Sequence, residues 1–375
     1  MAVFKETGGG YGKGYWRVAC YYTDWQGIRK KHEKRGFKTK HEAQEYERAF
    51  LLKADRDVNM SFDSFIDIYL ENLKPQIRLS TYLSKRFFIN KHIRPYFMTK
   101  TVSEITPTDI LQWQNELLMK RDENGRGYAP TTLRTIQNQM NAIFNHAVNY
   151  YGLPVNPCRK NKKMGKSKNS EMLFWTMDEY LKFREAIKRK PISYYAFEVL
   201  YWTGIRCGEL LALTRNDFDL EKKTLKINKS LQVLEGEIHI TPPKTEKSNR
   251  TITLPDFLVK EMEDYIESLY KIDDKTRIFP ISKSYLAWEM IKGCEKTGVK
   301  RIRIHDLRHS HCALLIKMGY STVQIGERLG HESTVITDRY AHLYPSVQKD
   351  MASEINKLLE VNGTNDTDKG DDGNE

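Results

Sequence analysis

The chain has 375 residues, and its 61 Lys and Arg against 49 Asp and Glu give a formal net charge of +12. A basic balance of this size favours a polyanionic partner, nucleic acid ahead of an anionic membrane. No apolar run reaches the ~20 residues of a membrane span, and the N-terminal residues lack the apolar segment of a signal peptide. Five scattered cysteines without a CxxC spacing argue against a disulfide framework and a zinc ribbon, so we expect a reducing, cytoplasmic compartment.

Residues 1–55 predict a small three-stranded sheet with one helix packed on it. The stretch YWRVACYY alternates as a strand does, IRKKHEKRG predicts another strand, and Thr39 can cap a helix that runs through Lys53. Eight Lys or Arg stand against three acids between residues 1 and 36. Because a β-ribbon fits the major groove, we favour a DNA-binding sheet over an ordinary solvated strand. The side chains that we expect to contact DNA here are Tyr15, Arg17, Arg29 and Lys31.

The stretch GGGYGKG in this block does not make a phosphate-binding P-loop. Thr7 stands where that motif needs its first glycine, and Gly14 stands where it needs the Ser or Thr that binds magnesium. Since no other stretch resembles a nucleotide-binding motif, we expect the protein to use neither ATP nor another cofactor.

Residues 60–155 predict a helical domain. SFDSFIDIYLENL places Phe62, Phe65 and Tyr69 at helical spacing, and Thr106 followed by a proline predicts the start of a later helix. Basic side chains lie among hydroxyl and amide side chains, a mixture that suits phosphate contacts, although a solvated helical surface explains it equally well. The candidate DNA-binding residues are Lys85, Arg86 and Arg134. The basic, aperiodic segment 156–170 then predicts a linker.

Residues 171–360 predict a mixed α+β domain, in which helices flank a short β-region at residues 223–255. The whole chain is therefore predicted to be multidomain and mainly α-helical with small β elements. Segment 361–375 holds five acids against one lysine and almost no apolar residues, so we expect a disordered acidic tail.

Two pairs of polar side chains within residues 171–360 have helical spacing. Glu209 lies one turn after Arg206 and could orient its guanidinium, and Arg308 lies one turn after His305 on the same predicted helix face.

Three further residues would complete a set suited to cleaving a phosphodiester bond. Lys244 stands between two strand signals, so we expect it at the tip of a hairpin, and His331 follows a glycine at a helix end. Tyr340 alone would be an ordinary packing residue, but a cationic surround lowers the cost of ionising its phenol. Two arginines can bind the transition-state oxygens, a lysine can protonate the leaving oxygen, and histidines can move the phenol's proton. The set needs no metal, nucleotide or other cofactor.

In this order and spacing, the segments TGIRCGELLAL, PKTEKSNR, HDLRHSHCALL and LGHESTVITDRYAHL resemble the tyrosine recombinase, or phage integrase, family. Residue 247 is also a lysine, but the prolines before Lys244 and Thr245 after it favour Lys244. Residues 60–155 look like the family's helical core-binding (SAM-like) domain, and residues 1–55 like the arm-binding domain of integrases from temperate phages and conjugative transposons. The catalytic residues that the resemblance implies are Arg206, Lys244, His305, Arg308, His331 and Tyr340, with Glu209 in a supporting position.

The resemblance implies a recombinase that integrates and excises a mobile element. Tyr340 would attack the scissile phosphate and form a 3′-phosphotyrosyl bond, Lys244 would protonate the 5′-hydroxyl, and strands would exchange through a Holliday junction in a homotetramer. The implied partners are core and arm DNA attachment sites, a DNA-bending accessory protein and an excision directionality factor, at the bacterial nucleoid. A C-terminal helix would dock on a neighbouring subunit, or pack on its own core, through Met351, Ile355, Leu358 and Leu359.

Three other interpretations of these residues stay open. His305 and His309 have the i, i+4 spacing of zinc-binding helices, but Asp306 replaces the usual Glu and Arg308 would face the metal. The intact set disfavours a non-catalytic DNA-binding regulator. A type IB topoisomerase could use the same chemistry, but the additional sheet domain and the C-terminal helix favour recombination.

Overall fold

The structure is a computed structural model of the chain. It describes residues 3–5, 14–23, 29–54, 60–165, 172–243, 245–270, 273–330, 352–353 and 355–356. Lys244, His331, Tyr340 and the acidic tail lie outside these described residues, as does most of the predicted C-terminal helix face. The chain divides into two compact units, Met1–Ser170 and Glu171–Glu375.

An antiparallel sheet and a helix begin the first unit. Their bounds are β1 (Val3–Lys5), β2 (Trp16–Thr23), β3 (Arg29–Phe37) and α1 (Lys40–Ala54), with strand order β1-β2-β3. One face of the sheet packs on α1 around a small core of Val18, Cys20, Phe37 and Ala43. The Thr39 hydroxyl accepts a hydrogen bond from the Glu42 backbone N–H at 3.1 Å, so the predicted N-cap is confirmed.

Helices form the rest of the first unit. Their bounds are α2 (Phe62–Leu73), α3 (Leu79–His92), α4 (Arg94–Phe97), α5 (Pro107–Met119) and α6 (Pro130–Tyr150). The predicted Phe62, Phe65 and Tyr69 all face the core of this bundle. Thr106 caps α5 through a reciprocal pair of hydrogen bonds with Asp109, as its sequence position predicts.

The segment that follows α6 packs on this helical bundle. Asn156, Cys158 and Met164 are buried, and Gln114 donates a hydrogen bond to the Lys162 carbonyl at 3.0 Å. A linker here would therefore be shorter than the 156–170 segment predicted from its basic, aperiodic sequence.

The second unit combines helices with short strands. Its helices are α7 (Met177–Ile187), α8 (Pro191–Thr203), α9 (Cys207–Ala212), α10 (Asp256–Ser268), α11 (Lys283–Thr297), α12 (Asp306–Lys317) and α13 (Thr322–Leu329). Its strands are β4 (Phe218–Asp219), β5 (Thr224–Ile227), β6 (Ser230–Leu234), β7 (Glu237–Thr241) and β8 (Arg250–Thr253). This mainly helical chain with small sheets confirms the predicted fold class. None of the described helices has both the length and the apolarity to cross a membrane.

The described strands of the second unit belong to two separate sheets. One has the order β4-β5-β8, and the other is the hairpin β6-β7. The strands on either side of Lys244 in the sequence, β7 and β8, therefore pair with different partners. The prediction of a single hairpin with Lys244 at its tip is wrong, because alternation along a strand does not reveal which strand it pairs with.

Candidate active site

Arg206 is held at the start of a helix by a buried carboxylate. Helix α8 ends at Gly204 in the left-handed conformation, and Arg206 is the N-cap of α9. The Arg206 backbone N–H donates to Glu209 Oε2 at 2.9 Å, and its Nη1 donates to Oε1 at 2.8 Å. The Glu209 side chain is only 3% exposed, whereas that of Arg206 is 38% exposed. Glu209 thus orients a guanidinium that still faces solvent, as the one-turn spacing predicts.

Arg308 is buried and joins two helix ends. Its Nη1 donates to the Gly204 carbonyl at 2.8 Å, and its Nη2 donates to the Leu329 carbonyl, at the end of α13, at 2.7 Å. Burial, and then the positive charge of Arg206, lower the pKa of Arg308 to about 9. The guanidinium therefore remains charged at neutral pH, and it lies within electrostatic reach of Arg206.

His305 joins these two arginines from the N-cap of α12. The residue is exposed, yet the surrounding protein partly desolvates its imidazole and lowers its pKa, and the charges of Arg308 and Arg206 lower the pKa further. The imidazole is therefore neutral at neutral pH, and it can accept or donate a proton. Three predicted residues, which come from two distant segments, are thus brought together.

The metal-site alternative concerns His305, the N-cap of α12, and His309, which lies on that helix. The rings of His305 and His309 do meet, with centroids 5.3 Å apart, and burial followed by His305 lowers the pKa of His309 to about 4. The nearest carboxylate, Asp306, is bound by the Arg303 guanidinium at 2.8 Å. Within the described ranges, no group of three His, Cys, Asp or Glu is placed to hold a metal ion.

Arg250 was not predicted to belong to this site. It lies at the start of β8, and its Nη2 donates to Glu209 Oε2 at 3.0 Å. A signal for it exists in the sequence: Arg250 shares the inward face of its strand with Ile252, and a charged residue at an inward position usually has a buried partner.

Gly330, which precedes His331, lies against Lys247, which follows Lys244 by three residues. Gly330 ends α13 with φ +68°, and a Cβ placed there would come within 2.6 Å of the Lys247 carbonyl oxygen. The residue before His331 therefore packs on the turn that follows Lys244 in the sequence.

The candidate DNA-binding residues of the sheet lie on its face away from α1. Arg17 and Lys31 both contact Glu33, at 3.3 and 3.1 Å, and the Arg29 guanidinium carbon lies 4.6 Å from the Tyr21 ring centre. Hydrogen bonds from Arg35 and Lys31 lower the pKa of Glu33 to about 2. This cationic face surrounds one carboxylate, while Tyr15 is half-buried just before β2.

The candidates of the helical bundle lie on α3 and α6. Lys85 donates to Gln139 Oε1 at 2.9 Å and so joins these two helices, and burial lowers its pKa. Arg86 lies over the Tyr82 ring, 5.7 Å from its centre, and Arg134 is exposed on α6. The bond to Gln139 gives Lys85 a structural role besides any contact with DNA.

Three family models match the chain in sequence order. They are an arm DNA-binding domain at residues 10–54, an N-terminal SAM-like domain of phage integrases at 61–118, and the phage integrase family at 174–346. They match most of the sheet-and-helix region, the first part of the helical bundle and most of the unit that holds Arg206 and Arg308.

Known proteins are similar over most of the chain. The ICEBs1 integrase of Bacillus subtilis is 32% identical over 82% of this chain and 86% of its own length. The structure of the Tn1549 transposon integrase with transposon right end DNA superposes with a TM-score of 0.63 at 17% identity, over 80% of this chain and all of that one. A lambda integrase tetramer bound to a Holliday junction gives 0.57 at 18% identity, over 90% and 94%. At 17% and 18% identity, the two solved structures show that the fold is shared. The 32% identity to the ICEBs1 integrase shows that the chain belongs to the same family. The chain belongs to the phage integrase family of tyrosine recombinases, enzymes that break and rejoin DNA in site-specific recombination.

Proposed function

We propose that this recombinase integrates and excises a mobile element, with Tyr340 as the nucleophile that attacks the scissile phosphate. The observation that carries the proposal is the bond from Arg308 to the Gly204 carbonyl, two residues before Arg206. This bond fixes the Arg308 guanidinium against the turn that leads into Arg206, so two arginines from distant parts of the sequence lie near each other and near a neutral His305. Such a group of cations suits a phosphorane-like transition state, in which charge grows on the non-bridging oxygens.

Each residue of the set has a chemical role in this reaction. Arg206 and Arg308 donate to the non-bridging oxygens, since a guanidinium with five N–H donors can hold backbone carbonyls and a phosphate together. Tyr340 forms a 3′-phosphotyrosyl bond while the 5′-oxygen leaves, and Lys244 gives that oxygen its proton. His305 and His331 donate hydrogen bonds or accept the phenol proton. The 5′-hydroxyl of a partner strand then attacks the phosphotyrosine and releases the enzyme, so the bond energy is conserved without ATP.

The wider assembly belongs to the same proposal. Residues 60–155 bind the core site, where Lys85, Arg86 and Arg134 contact phosphates, and residues 1–55 bind separate arm sequences through Arg17, Arg29, Lys31 and Tyr15. Two features support it: the basic sheet face, and the matched arm and SAM-like models. Four subunits exchange strands through a Holliday junction in the bacterial cytoplasm, with a DNA-bending protein and a directionality factor.

Covalent trapping on a nicked suicide duplex that carries the element's candidate core site tests this function. The wild type is compared with Tyr340→Phe, and Tyr344→Phe is the matched control, because it removes the same hydroxyl four residues later. With EDTA present, we expect a protein–DNA adduct at the 3′ phosphate from the wild type and the control only. An adduct from Tyr340→Phe, or its loss from the wild type on adding EDTA, would overturn the nucleophile or the metal-independent mechanism.

A further inference from the structure

Arg250 contacts both oxygens of the carboxylate that orients Arg206. Its Nη2 donates to Glu209 Oε2 at 3.0 Å, and its Nη1 approaches Oε1 at 3.4 Å. Glu209 is thus held between two guanidinium groups, one from the N-cap of α9 and one from β8. Arg250 is only 7% exposed, so it lies beneath the site, whereas Arg206 faces outward.

The ionised state of Glu209 depends on this pairing. Burial raises the pKa of the carboxyl, but the charge and hydrogen bonds of Arg250, followed by those of Arg206, outweigh burial and hold the pKa below its usual value. A buried carboxylate with one partner removed is an expensive arrangement, and it relaxes by taking up a proton or changing its rotamer. Either change would release the Arg206 guanidinium from its present direction.

The same guanidinium also ties two backbone segments to the site. Its Nε donates to the Arg328 carbonyl near the end of α13 at 3.0 Å, and Nη1 donates to the Ser248 carbonyl at 3.1 Å. Gly330 closes this contact, since a Cβ there would lie 3.0 Å from Arg250 Cδ. The side chain therefore joins the carboxylate, the end of α13 and the turn before β8.

We propose that Arg250 is a positioning residue of this recombinase, which fixes the Glu209 carboxylate and through it aims Arg206 at the scissile phosphate. It does so without touching DNA, because its guanidinium is enclosed by Glu209, Ser248 and Arg328. The inference rests on the proposed function, since it concerns the same phosphodiester cleavage.

The test uses the full-length protein and measures two quantities separately, the affinity for core-site duplex and the single-turnover rate of adduct formation. The variants are Arg250→Gln, which removes the charge, and Arg250→Lys, which keeps the charge but not the forked donors. Arg277→Gln is the control, because Arg277 makes one long bond of 3.4 Å to the Leu211 carbonyl in the same unit. We expect Arg250→Gln to cleave at least ~10-fold more slowly, with affinity within ~3-fold of the wild type. The cleavage rate of Arg250→Lys should lie between those of the wild type and Arg250→Gln, and the rate of Arg277→Gln should equal that of the wild type.

A methylphosphonate at the scissile position separates positioning from a general structural defect. A methyl group replaces one charged oxygen, so the reaction depends less on a correctly aimed Arg206. We expect the difference between wild type and Arg250→Gln to shrink to within ~3-fold on this substrate, as it should for Arg206→Gln. An equal rate loss on both substrates, or a loss of affinity alone, would overturn the positioning role.

If Arg250→Gln fails to fold, Arg250→Lys gives the same comparison. If the wild type forms no adduct, the proposed function itself is wrong. If the wild type forms the adduct and Arg250→Gln forms it at the same rate, only the positioning role of Arg250 is wrong.

Discussion

The Arg308 guanidinium donates from Nη1 to the Gly204 carbonyl over 2.8 Å, in the turn that leads into Arg206. Its other terminal nitrogen holds the Leu329 carbonyl at the end of α13. One buried side chain therefore sets the spacing between the helix end that precedes Arg206 and the helix end that precedes His331 in the sequence. The geometry of the site depends on this turn being closely packed.

Gly204 should therefore tolerate no side chain. Its φ is +65°, and a Cβ there would lie 2.7 Å from both His311 Cδ2 and Leu329 Cδ2. Gly298 is a matched control, since it follows α11 with φ +70° and a Cβ there would meet none of the described atoms within 4 Å. We expect Gly298→Ala to lower the free energy of unfolding by about 1 kcal/mol through backbone strain. Gly204→Ala should lose a further ~1–3 kcal/mol through overpacking. Urea unfolding measures both, and equal losses would show that the contacts at Gly204 do not restrain the site.

His311 should make the catalytic unit less stable in mild acid. Burial, then Arg328, lower the pKa of His311 to about 3 from an ordinary 6.5, and Arg328 Nε donates to its Nε2 at 3.3 Å, which requires an unprotonated nitrogen. The unfolded chain therefore binds a proton that the folded chain does not, so stability falls as pH drops from about 6.5 towards 3.

The expected slope is about 1.4 kcal/mol per pH unit for one such proton. Urea unfolding between about pH 6 and about pH 5 should show that His311→Gln lowers the pH slope of the unfolding free energy by roughly this amount. A variant whose slope equals that of the wild type would contradict the neutral, buried assignment.

Lys244 and Lys247 can be told apart by the leaving group. If Lys244 protonates the 5′-oxygen, Lys244→Ala should slow cleavage of normal DNA by at least ~100-fold, within the usual range for general acid catalysis. A 5′-bridging phosphorothiolate should restore the rate, because a thiolate leaves without needing that proton. Lys247→Ala is the matched control and should cleave both substrates at the wild-type rate. If the phosphorothiolate restored the cleavage rate of Lys247→Ala and not that of Lys244→Ala, Lys247 would be the proton donor instead of Lys244.

Glu33 should weaken DNA binding by the sheet. It pairs with Arg17, Lys31 and Arg35, three cations of the face that we propose to contact the arm site. Glu33→Gln should bind arm-site duplex more tightly, and each added phosphate contact should steepen the log–log salt dependence by up to ~0.9. Glu45→Gln makes the same charge change on exposed α1 and should have little effect. Anisotropy titrations across a range of salt measure this, and identical salt slopes for all three proteins would place the DNA contact elsewhere.

Features set by neighbours in the sequence were predictable. Thr39 and Thr106 cap their helices because a hydroxyl at that position reaches a backbone N–H three residues later. Glu209 reaches Arg206 for the same reason, since three residues on a helix make one turn. The order of the family's motifs then indicated which side chains would meet.

Features set by pairing across the fold were not predictable. Arg250 lies on β8 and Glu209 lies on α9, and nothing in the segment around Arg250 indicates that Glu209 is its partner. The placement of β7 and β8 in different sheets was not predictable either. Both segments alternate as strands do, and alternation does not show which strand pairs with which. The packed start of the predicted linker was missed because Cys158 and Met164 stand alone among basic residues, without a periodic apolar pattern.

Attack by Tyr340 is tested most directly by identifying the residue that becomes bonded to the DNA. The wild-type adduct, trapped on a nicked core-site duplex, is digested with nuclease and trypsin and sequenced by tandem mass spectrometry. We expect a nucleotide remnant on the peptide that starts after Arg339, with the fragment ions placing it on Tyr340 rather than on Tyr344. A remnant on any other residue, or cleavage without a covalent adduct, would contradict attack by Tyr340.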